Sequence, residues 1–323
     1  MKIVITGALG HIGARLIRDL TTAFTNCDII LLDNFFTQRY CSLFNLPSNG
    51  KYHFVEGDIL DYALEPLFDG AAVVIHLAAI TDAASSHKHT DWVEKVNVSG
   101  TERVARACAK VATPLIFLST TSVYSSQAAF VDEDCPEADL KPQSPYALSK
   151  LKAEKLLNKI SGEQSGLRYQ ICRFGTISGV SVGMRFHTAV NKFCWQAAMG
   201  VPITVWKTAL HQKRPYLSLT DAVHALIFII NNHIYHNCVY NVLTANLTPD
   251  DIIEMIKKCL PQIVVEYTDA QIMNQLSYEV SWRRFKELGF EVTGSVEDDI
   301  AQTIALLKNA GGKNGSKEDL HTL

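Results

Sequence analysis

The sequence predicts an α/β protein built on a doubly wound parallel sheet, and three observations carry this prediction. Short apolar runs alternate with segments of helical periodicity through the first half of the chain. The runs are nearly uninterrupted, which is typical of parallel strands that helices cover on both faces. A glycine-rich turn follows the first run and opens a helix. Strand–helix alternation of this kind forms right-handed βαβ units.

The predicted elements follow one another in a regular order. Strands are predicted at 2–6, 28–33, 52–57, 71–79, 114–120 and 168–174, and helices at 11–23, 91–110 and 146–160. After residue 174 the periodicity weakens, and Gly, Ser, Pro and Trp become frequent. A helix at 219–230, a strand at 239–244 and a helix at 248–260 are predicted beyond this region. The last helix has Thr248 as its N-cap and Pro249 at its first position.

The change in periodicity and composition after residue 174 predicts two domains. We expect residues 1–174 and about 217–244 to form the first domain. About 175–216 and 245–308 should form a second, smaller one. The final segment, 309–323, is rich in Gly, Lys and Asn, and this composition indicates a disordered tail.

Composition and charge limit the partners that we expect. The chain has 323 residues, 47% of them apolar, and a formal net charge of −3. There is no sequence-wide basic field, so neither nucleic acid nor an anionic membrane is an expected partner. The longest purely apolar run, 225–230, is too short to span a bilayer. The opening residues read as a strand and not as a signal peptide, which predicts a cytoplasmic protein.

Cysteine and histidine usage agrees with a reducing compartment and no metal. The eight cysteines are scattered without a CxxC pair, and most lie in apolar runs, so we expect reduced thiols. His87 and His89 form an HxH pair in a polar loop that has no further ligands nearby. We therefore predict no metal site.

The glycine-rich turn predicts a dinucleotide site. Gly7, Gly10 and Gly13 are spaced as GxxGxxG between the first strand and its helix. Glycines permit the tight turn, let a pyrophosphate approach the backbone and allow close packing of helix on strand. Asp33 ends the next strand and can accept a hydrogen bond from the adenosine ribose. A carboxylate there would repel a 2′-phosphate, and no arginine stands at 34–36, so NAD is favoured over NADP.

Further residues at strand ends are expected to surround this cofactor. Asp58 ends the third strand, where it could meet the adenine edge or cap a helix instead. The small residues that end the fourth strand suit the close passage of a dinucleotide. The full set of expected cofactor residues is Gly7, Gly10, His11, Ile12, Gly13, Asp33, Asn34, Asp58, Ile59, Leu77, Ala78, Ala79, Asn97, Tyr146 and Lys150.

A YxxxK pair predicts the catalytic chemistry. Tyr146 and Lys150 stand four residues apart and so share one face of a helix. A phenol with an ordinary pKa of about 10 is a poor base at neutral pH, and a neighbouring ammonium favours its anion. YxxxK occurs often by chance, and its position after the fifth strand makes the catalytic interpretation much more specific.

Taken in order, the motifs resemble the extended short-chain dehydrogenase/reductase family, in its NAD-dependent nucleotide-sugar epimerase/dehydratase branch, which includes UDP-glucose 4-epimerase. The resemblance covers about 1–308 and rests on "TGALGHIG", "LLDN", "GDILD", "HLAA", "NVSGTERV", "STTSVY", "SPYALSK" and "SWRRFKELGF". It implies a Rossmann-type first domain and a C-terminal α/β domain that binds substrate. It also implies a Thr120–Tyr146–Lys150 triad, with Asn97 near the catalytic group, and a homodimer formed through helices 91–110 and 146–160.

The residues after Thr120 bear on the reaction. The family's 4,6-dehydratases carry acids there, and its UDP-glucuronate decarboxylases carry a glutamate two residues before the "VY" tyrosine. This chain has Thr121 and Ser122, whose hydroxyls cannot act as general acids or bases at neutral pH without a partner. The resemblance thus favours an epimerase that acts at C4 of a nucleotide-diphosphate sugar through a 4-keto intermediate. The alternatives are a dehydratase, an NAD-linked dehydrogenase or reductase, and a non-catalytic NAD-binding sensor.

The resemblance also implies which residues contact the substrate. Asn191 and Arg214 match family positions that contact the nucleotide or its diphosphate. One of the neighbours Arg283 and Arg284 is a further candidate. Arg185 and His187 lie in the same region without a firm match. The expected substrate-binding residues are Thr121, Ser122, Arg185, Asn191, Arg214 and Arg283.

Overall fold

A computed structural model of the chain describes residues 1–81, 89–124, 129–163, 166–269 and 277–310. The strands are β1 (Lys2–Thr6), β2 (Asp28–Asp33), β3 (Lys51–Glu56), β4 (Val73–His76), β5 (Leu115–Thr120), β6 (Phe130–Val131), β7 (Tyr169–Phe174), β8 (Thr176–Ser178), β9 (Ile203–Trp206), β10 (Arg214–Ser218), β11 (Val239–Val242), β12 (Ala245–Leu247), β13 (Val265–Thr268) and β14 (Glu279–Val280). The helices are α1 (His11–Ala23), α2 (Leu64–Phe68), α3 (Thr90–Glu94), α4 (Gly100–Lys110), α5 (Pro145–Gly162), α6 (Ala189–Ala198), α7 (Leu219–Asn231), α8 (Pro249–Cys259), α9 (Arg283–Glu287) and α10 (Val296–Leu307). A π-helical turn, Lys95–Ser99, joins α3 to α4.

Seven of these strands form one parallel sheet in the order β11-β7-β5-β4-β1-β2-β3. The predicted doubly wound fold is confirmed. β1 pairs in parallel with β2 on one side and with β4 on the other, so the direction of winding reverses at β1. In sheets of this type ligands bind at the carboxyl ends of the strands beside such a switch point.

Two apolar layers cover the faces of the sheet. Ile3 and Ile5 pack into one layer with buried residues of α1 and α7. Val4, which points to the opposite face, packs with buried residues of α2, α4 and α5. This alternation follows from the period of two along a strand. Each fully buried Ile or Val side chain contributes about 1.5–3 kcal/mol, so both faces hold the helices firmly.

A separate apolar cluster lies in the part of the chain after residue 188. It draws buried residues from α6, α8, α10, β9 and β10, among them Val190, Ile252 and Ile300. Two small sheets accompany it, β12-β10-β8 and β13-β9. The cluster supports the division into two domains, which stays a prediction. Most of the predicted tail, 311–323, lies outside the described residues.

Other expectations from composition concern thiols, membrane spans and metals. All eight cysteines carry free thiols. No helix within the described ranges is long and apolar enough to cross a membrane. Across the same ranges, no group of three or more His, Cys, Asp or Glu side chains could hold a metal ion. His87 is not among the described residues.

A buried ion pair ties α5 to the sheet. Arg173 on β7 donates from Nε and Nη2 to the two carboxylate oxygens of Glu154, over 3.0 and 2.6 Å. Ser119 also donates to Glu154, and Arg173 Nη1 donates to the Tyr124 hydroxyl at 2.8 Å. The Tyr124 hydroxyl donates in turn to Asn241 Oδ1 on β11. The Arg173 side chain is only 5% exposed and the Glu154 side chain only 4%. Each charge compensates the other, because neither could be buried alone.

Removing one partner of this pair should therefore destabilise the fold strongly. We expect Arg173→Met to lower the free energy of unfolding by about 3–5 kcal/mol, because it leaves the Glu154 carboxylate buried and uncompensated. Urea unfolding followed by circular dichroism measures this change. The matched control is Arg106→Met, which removes exposed pairs with Glu102 and Glu163 and should cost less than about 1 kcal/mol. An equal decrease in the free energy of unfolding in both variants would contradict the proposed contribution of the buried pair to stability.

Candidate active site

A cavity of about 660 Å³ opens at the carboxyl edge of the large sheet, beside the switch point at β1. Its volume lies within the range of ligand-binding sites. The predicted cofactor residues that line it are Gly7, Gly10, His11, Ile12, Gly13, Asp33, Asn34, Asp58, Ile59, Leu77, Ala78, Ala79, Tyr146 and Lys150. Thr120, Ser122 and Arg185 line the same cavity, so catalytic and substrate candidates share one space with the cofactor candidates.

The glycine loop after β1 packs against neighbouring backbone more closely than a side chain would allow. Gly7 has φ +66°, and a Cβ there would lie 2.5 Å from the Ala78 backbone nitrogen. A Cβ on Gly13 would lie 2.3 Å from the carbonyl oxygen of Ala8. The first turn of α1 carries no acidic residue, so its positive end is uncompensated. The loop therefore fits the diphosphate of a dinucleotide, which the backbone amides and the helix end would hold.

Asp33 is held in place by the backbone and still has acceptor capacity. Its Oδ2 accepts from Leu9 N–H and its Oδ1 from Phe35 N–H, each at 3.0 Å. Burial raises the pKa of Asp33, and these hydrogen bonds oppose that shift. A carboxylate offers about four acceptor positions, so capacity remains for a ribose hydroxyl. Both oxygens of Asp58 make local bonds as well, one with Leu60 N–H and one with the Asn34 amide.

Arg39 enters the cavity and was missed from the sequence. A methyl group on Gly10 would lie 3.9 Å from Arg39 Nη1, which places the guanidinium beside the glycine loop. Burial lowers the pKa of Arg39 to about 10; the charge of Arg185 adds to this shift and Asp33 opposes it. Arg39 stands six residues after Asp33, beyond the three positions that the sequence argument considered.

His76 joins the ends of β1 and β4 below the cavity. The Thr101 hydroxyl donates to Asn97 O at 2.6 Å, so it must accept from His76 Nε2 at 3.0 Å. His76 Nδ1 then accepts from the Thr6 hydroxyl at 2.7 Å. Burial, followed by the charge of Lys150, lowers the pKa of His76 to about 3. This histidine is thus a neutral core residue with both ring nitrogens bonded.

Thr120, Tyr146 and Lys150 meet at the inner end of the cavity. Thr120 ends β5, and a hydrogen bond joins its hydroxyl to that of Tyr146. Burial raises the pKa of Tyr146 to about 12, and the bond to Thr120 opposes the shift. Burial lowers the pKa of Lys150 to about 7, whereas the carboxylate of Glu154 raises it. Its Nζ lies 4.7 Å from the centre of the Phe117 ring. Strongly perturbed pKa values in one cleft are typical of catalytic sites.

Asn97 does not line the cavity and instead positions its walls. It lies in the π-helical turn and is 1% exposed. Its Oδ1 accepts from Ile80 N–H at 2.8 Å, and its Nδ2 donates to Ile80 O and to Ser149 Oγ. Ser149 donates in turn to Tyr146 O at 2.7 Å. One amide therefore joins the loop after β4 to the first turn of α5, where the catalytic tyrosine candidate stands.

Residues 179–187, here named the covering segment, lie against the glycine loop. His11 Nε2 bonds Gly179 O at 2.9 Å, and Ser181 donates to His11 O at 2.9 Å. A Cβ on Gly183 would lie 2.7 Å from the carbonyl oxygens of Leu9 and Gly10. Burial lowers the pKa of His11 to about 4, so its ring is neutral at physiological pH. The cofactor candidates are thus in direct contact with the segment that follows β8.

Asn191 fixes the covering segment from behind. It is fully buried, accepts from Gly179 N–H at 3.3 Å and donates to Arg185 O at 3.1 Å. Arg185 reaches across the cavity, where its Nη1 donates to Thr81 Oγ1 at 3.1 Å. His187, exposed at the end of the segment, also lines the cavity. Asn191 itself is not in the cavity wall.

The remaining substrate candidates lie in different places. Ser122 faces the cavity, whereas the neighbouring Thr121 is buried and donates to Phe174 O at 3.2 Å. Arg214 on β10 stacks over the Tyr278 ring at 4.9 Å, outside the cavity wall. Arg283 begins α9, is 71% exposed and pairs with Glu287 on the surface. The structure therefore does not bring Thr121, Arg214 or Arg283 to the cavity lining.

Comparisons with known proteins agree with this geometry. The family model "NAD dependent epimerase/dehydratase family" matches residues 3–242. An uncharacterized UDP-glucose epimerase of Bacillus subtilis is 29% identical over 239 residues, which is 71% of this chain and 72% of that protein. A trifunctional UDP-glucose 4,6-dehydratase/3,5-epimerase/reductase of Arabidopsis thaliana is 27% identical over 94% of this chain, which spans only 46% of that enzyme.

Solved structures share the fold over nearly the whole chain. A UDP-glucuronic acid 4-epimerase from Bacillus cereus, solved with UDP-glucuronic acid and NAD, has a TM-score of 0.82 at 24% identity, covering 96% of this chain and 100% of that one. A UDP-N-acetylglucosamine 4-epimerase from Methanobrevibacter ruminantium has a TM-score of 0.83 at 21% identity, covering 96% and 98%. With a family model that matches most of its length, the chain belongs to the NAD-dependent epimerase/dehydratase family.

Proposed function

We propose that the protein is an NAD-dependent 4-epimerase of a nucleotide-diphosphate sugar. One observation carries the choice of reaction. Among the described residues that line the cavity, the carboxylates are Asp33, which ends β2, and Asp58, which follows β3, and both belong to the expected adenosine end. The inner end offers the hydroxyls of Thr120, Ser122 and Tyr146 and the amine of Lys150. Such a set can move one proton at a sugar hydroxyl, and among the described residues it includes no carboxylate to act as the acid or base for removing water.

Tyr146 is the proposed base. As a phenolate it would accept the proton of the sugar 4-hydroxyl, while Thr120 donates a hydrogen bond at the same oxygen and steadies it. NAD bound beside this pair would supply reversible hydride transfer at C4. Tyr146 then gives its proton back to the 4-oxygen after the keto sugar has turned in the cavity. Because hydride and proton both return, the reaction inverts C4 without net oxidation.

Positively charged side chains support binding of the two diphosphates. Arg39 adds its charge to the glycine loop at the cofactor end. Arg185, held by Thr81 and by the covering segment, is the proposed partner of the substrate diphosphate, since a guanidinium pairs well with phosphate oxygens. Structural neighbours were solved with UDP-glucuronic acid and UDP-glucose, so a UDP-sugar is the first substrate class to test. The predicted homodimer and cytoplasmic location stay predictions.

Incubation with NAD and a panel of UDP-sugars, followed by proton NMR of the anomeric region and mass spectrometry, tests the proposal. A new anomeric signal at constant mass and without net NADH is the expected result. Loss of water would identify a dehydratase, and accumulation of NADH would identify a dehydrogenase. Cofactor binding without conversion of any sugar would favour the sensor.

Tyr146→Phe should remove turnover and leave the cofactor bound. We expect kcat to fall by about 10² to 10⁴, because the variant cannot accept the hydroxyl proton. Equilibrium dialysis with NAD should give an unchanged affinity. Ser149→Ala is a useful comparison, since it removes two hydrogen bonds behind the site, one from Asn97 Nδ2 and one to Tyr146 O. Undiminished kcat in Tyr146→Phe would refute the assignment of the base.

The pH dependence of turnover should reflect Lys150. With the pKa of Lys150 lowered to about 7, the pair of Tyr146 and Lys150 loses its first proton as the pH rises through that value. Turnover needs the state in which the pair holds one proton, with the Tyr146 anion beside the Lys150 ammonium, and burial raises the pKa of Tyr146 to about 12. The pair reaches the one-proton state as the pH rises to 7 and keeps it above 7, so kcat should rise towards pH 7 and then stay level. Lys150→Arg keeps its charge throughout this range, so its kcat should go on rising above pH 7 as the phenol ionises, even if its absolute rate is lower. Profiles of identical shape would show that Lys150 does not set the level part of the profile.

A further inference from the structure

Two exposed aromatic rings face each other at the mouth of the cavity. Phe36 is 61% exposed and Trp92 is 37% exposed, yet both line the cavity wall. Their ring centroids are 6.5 Å apart with an interplanar angle of 41°, within the range of favourable aromatic pairs. Lys95 Nζ lies 5.6 Å from the centre of the Trp92 ring, on the same helical stretch. The rings thus touch both solvent and cavity.

The two rings come from opposite sides of the switch point. Phe36 follows β2, three residues after Asp33, and Trp92 stands on α3, in the connection that follows β4. In the sheet, β1 and its glycine loop lie between β2 and β4. The contact between the rings therefore passes over the region where the glycine loop and Asp33 would hold a dinucleotide.

Phe36 is held in this position by the residues around it. Phe35 adopts φ +53°, which is uncommon for a bulky residue, and its ring stacks on Tyr40 with centroids 4.1 Å apart. Phe36 N–H donates to Asn34 Oδ1 at 3.0 Å. A strained residue that its neighbours hold in place is typical of functional sites. The loop thus presents the Phe36 ring to Trp92 instead of burying it.

We infer that Phe36 and Trp92 form an aromatic latch, which covers the adenosine side of the bound cofactor and slows its dissociation. The rings must separate before a dinucleotide can leave through this mouth. Such retention suits the proposed function, in which NAD ends each cycle in the state in which it began and need not exchange. The latch itself rests on NAD binding alone and not on the identity of the sugar reaction.

Dissociation of NAD tests the latch directly. NAD-loaded protein is mixed with excess alcohol dehydrogenase and ethanol, which capture released NAD and report it as NADH absorbance. We expect Phe36→Ala and Trp92→Ala each to raise the dissociation rate at least tenfold, equivalent to about 1.4 kcal/mol. The double variant should be little faster than either single variant, because each one already opens the same contact.

The controls are aromatic residues of similar exposure away from the cavity. Phe44→Ala and Trp206→Ala replace rings that are 59% and 40% exposed and do not line the cavity, so both should release NAD at the wild-type rate. Wild-type rates in Phe36→Ala and Trp92→Ala would overturn the latch, as would equal acceleration in the controls. The assay needs no sugar substrate, so its result is independent of the epimerase proposal.

Fluorescence gives a second measurement that does not depend on rates. The chain has four tryptophans, and Trp92 is the one that the cavity wall contains among the described residues. NAD binding should quench emission in the wild type, and Trp92→Phe should lose most of that quenching while still binding NAD. Full quenching in Trp92→Phe would place the cofactor away from this ring and would overturn the proposal.

Discussion

The geometry of the site depends on the buried ion pair between Glu154 and Arg173. Glu154 stands one helical turn beyond Lys150 on α5, and Arg173 lies on β7, next to the strand that ends in Thr120. The pair therefore fixes the helix that carries the proposed base, Tyr146, against the strand that ends in Thr120. Its negative member also opposes the effect of burial on the Lys150 pKa. The Glu154 carboxylate thus both anchors α5 to the sheet and raises the pKa of Lys150 against the effect of burial.

Hydroxyl groups around the cavity divide into two kinds. Hydroxyls of the first kind hold strand ends and helix turns in place. Those of Thr6 and Thr101 bond His76, and Thr101 also donates to Asn97 O. The hydroxyl of Ser149 donates to Tyr146 O. Thr120 and Ser122 present their side chains to the cavity. The hydroxyl residues Thr120, Thr121 and Ser122 therefore do not share one role. The middle one, Thr121, is buried and bonds the backbone of β7.

The sequence was informative where a function depends on local geometry. The glycine spacing, Asp33 at a strand end and the Tyr146–Lys150 pair each lie within one turn, strand end or helix, and all of them line the cavity. Arg39 and the Phe36–Trp92 contact could not be predicted in this way, because they depend on how separate loops close over β1. Asn191 was selected from the sequence, yet its side chain holds backbone of the covering segment, a role that only tertiary structure reveals.

The covering segment has a consequence for attempts to change sugar preference by exchanging loops. Residues 179–187 contribute Arg185 and His187 to the cavity. The segment also bonds His11 through Gly179 and packs against the carbonyls of the glycine loop at Gly183. A graft from a relative would import its own spacing at Gly183, where a single added methyl group meets backbone oxygen at 2.7 Å. If the proposed roles of Arg185 and the glycine loop hold, such a chimera would alter cofactor affinity together with substrate choice, and the two properties must be redesigned as one unit.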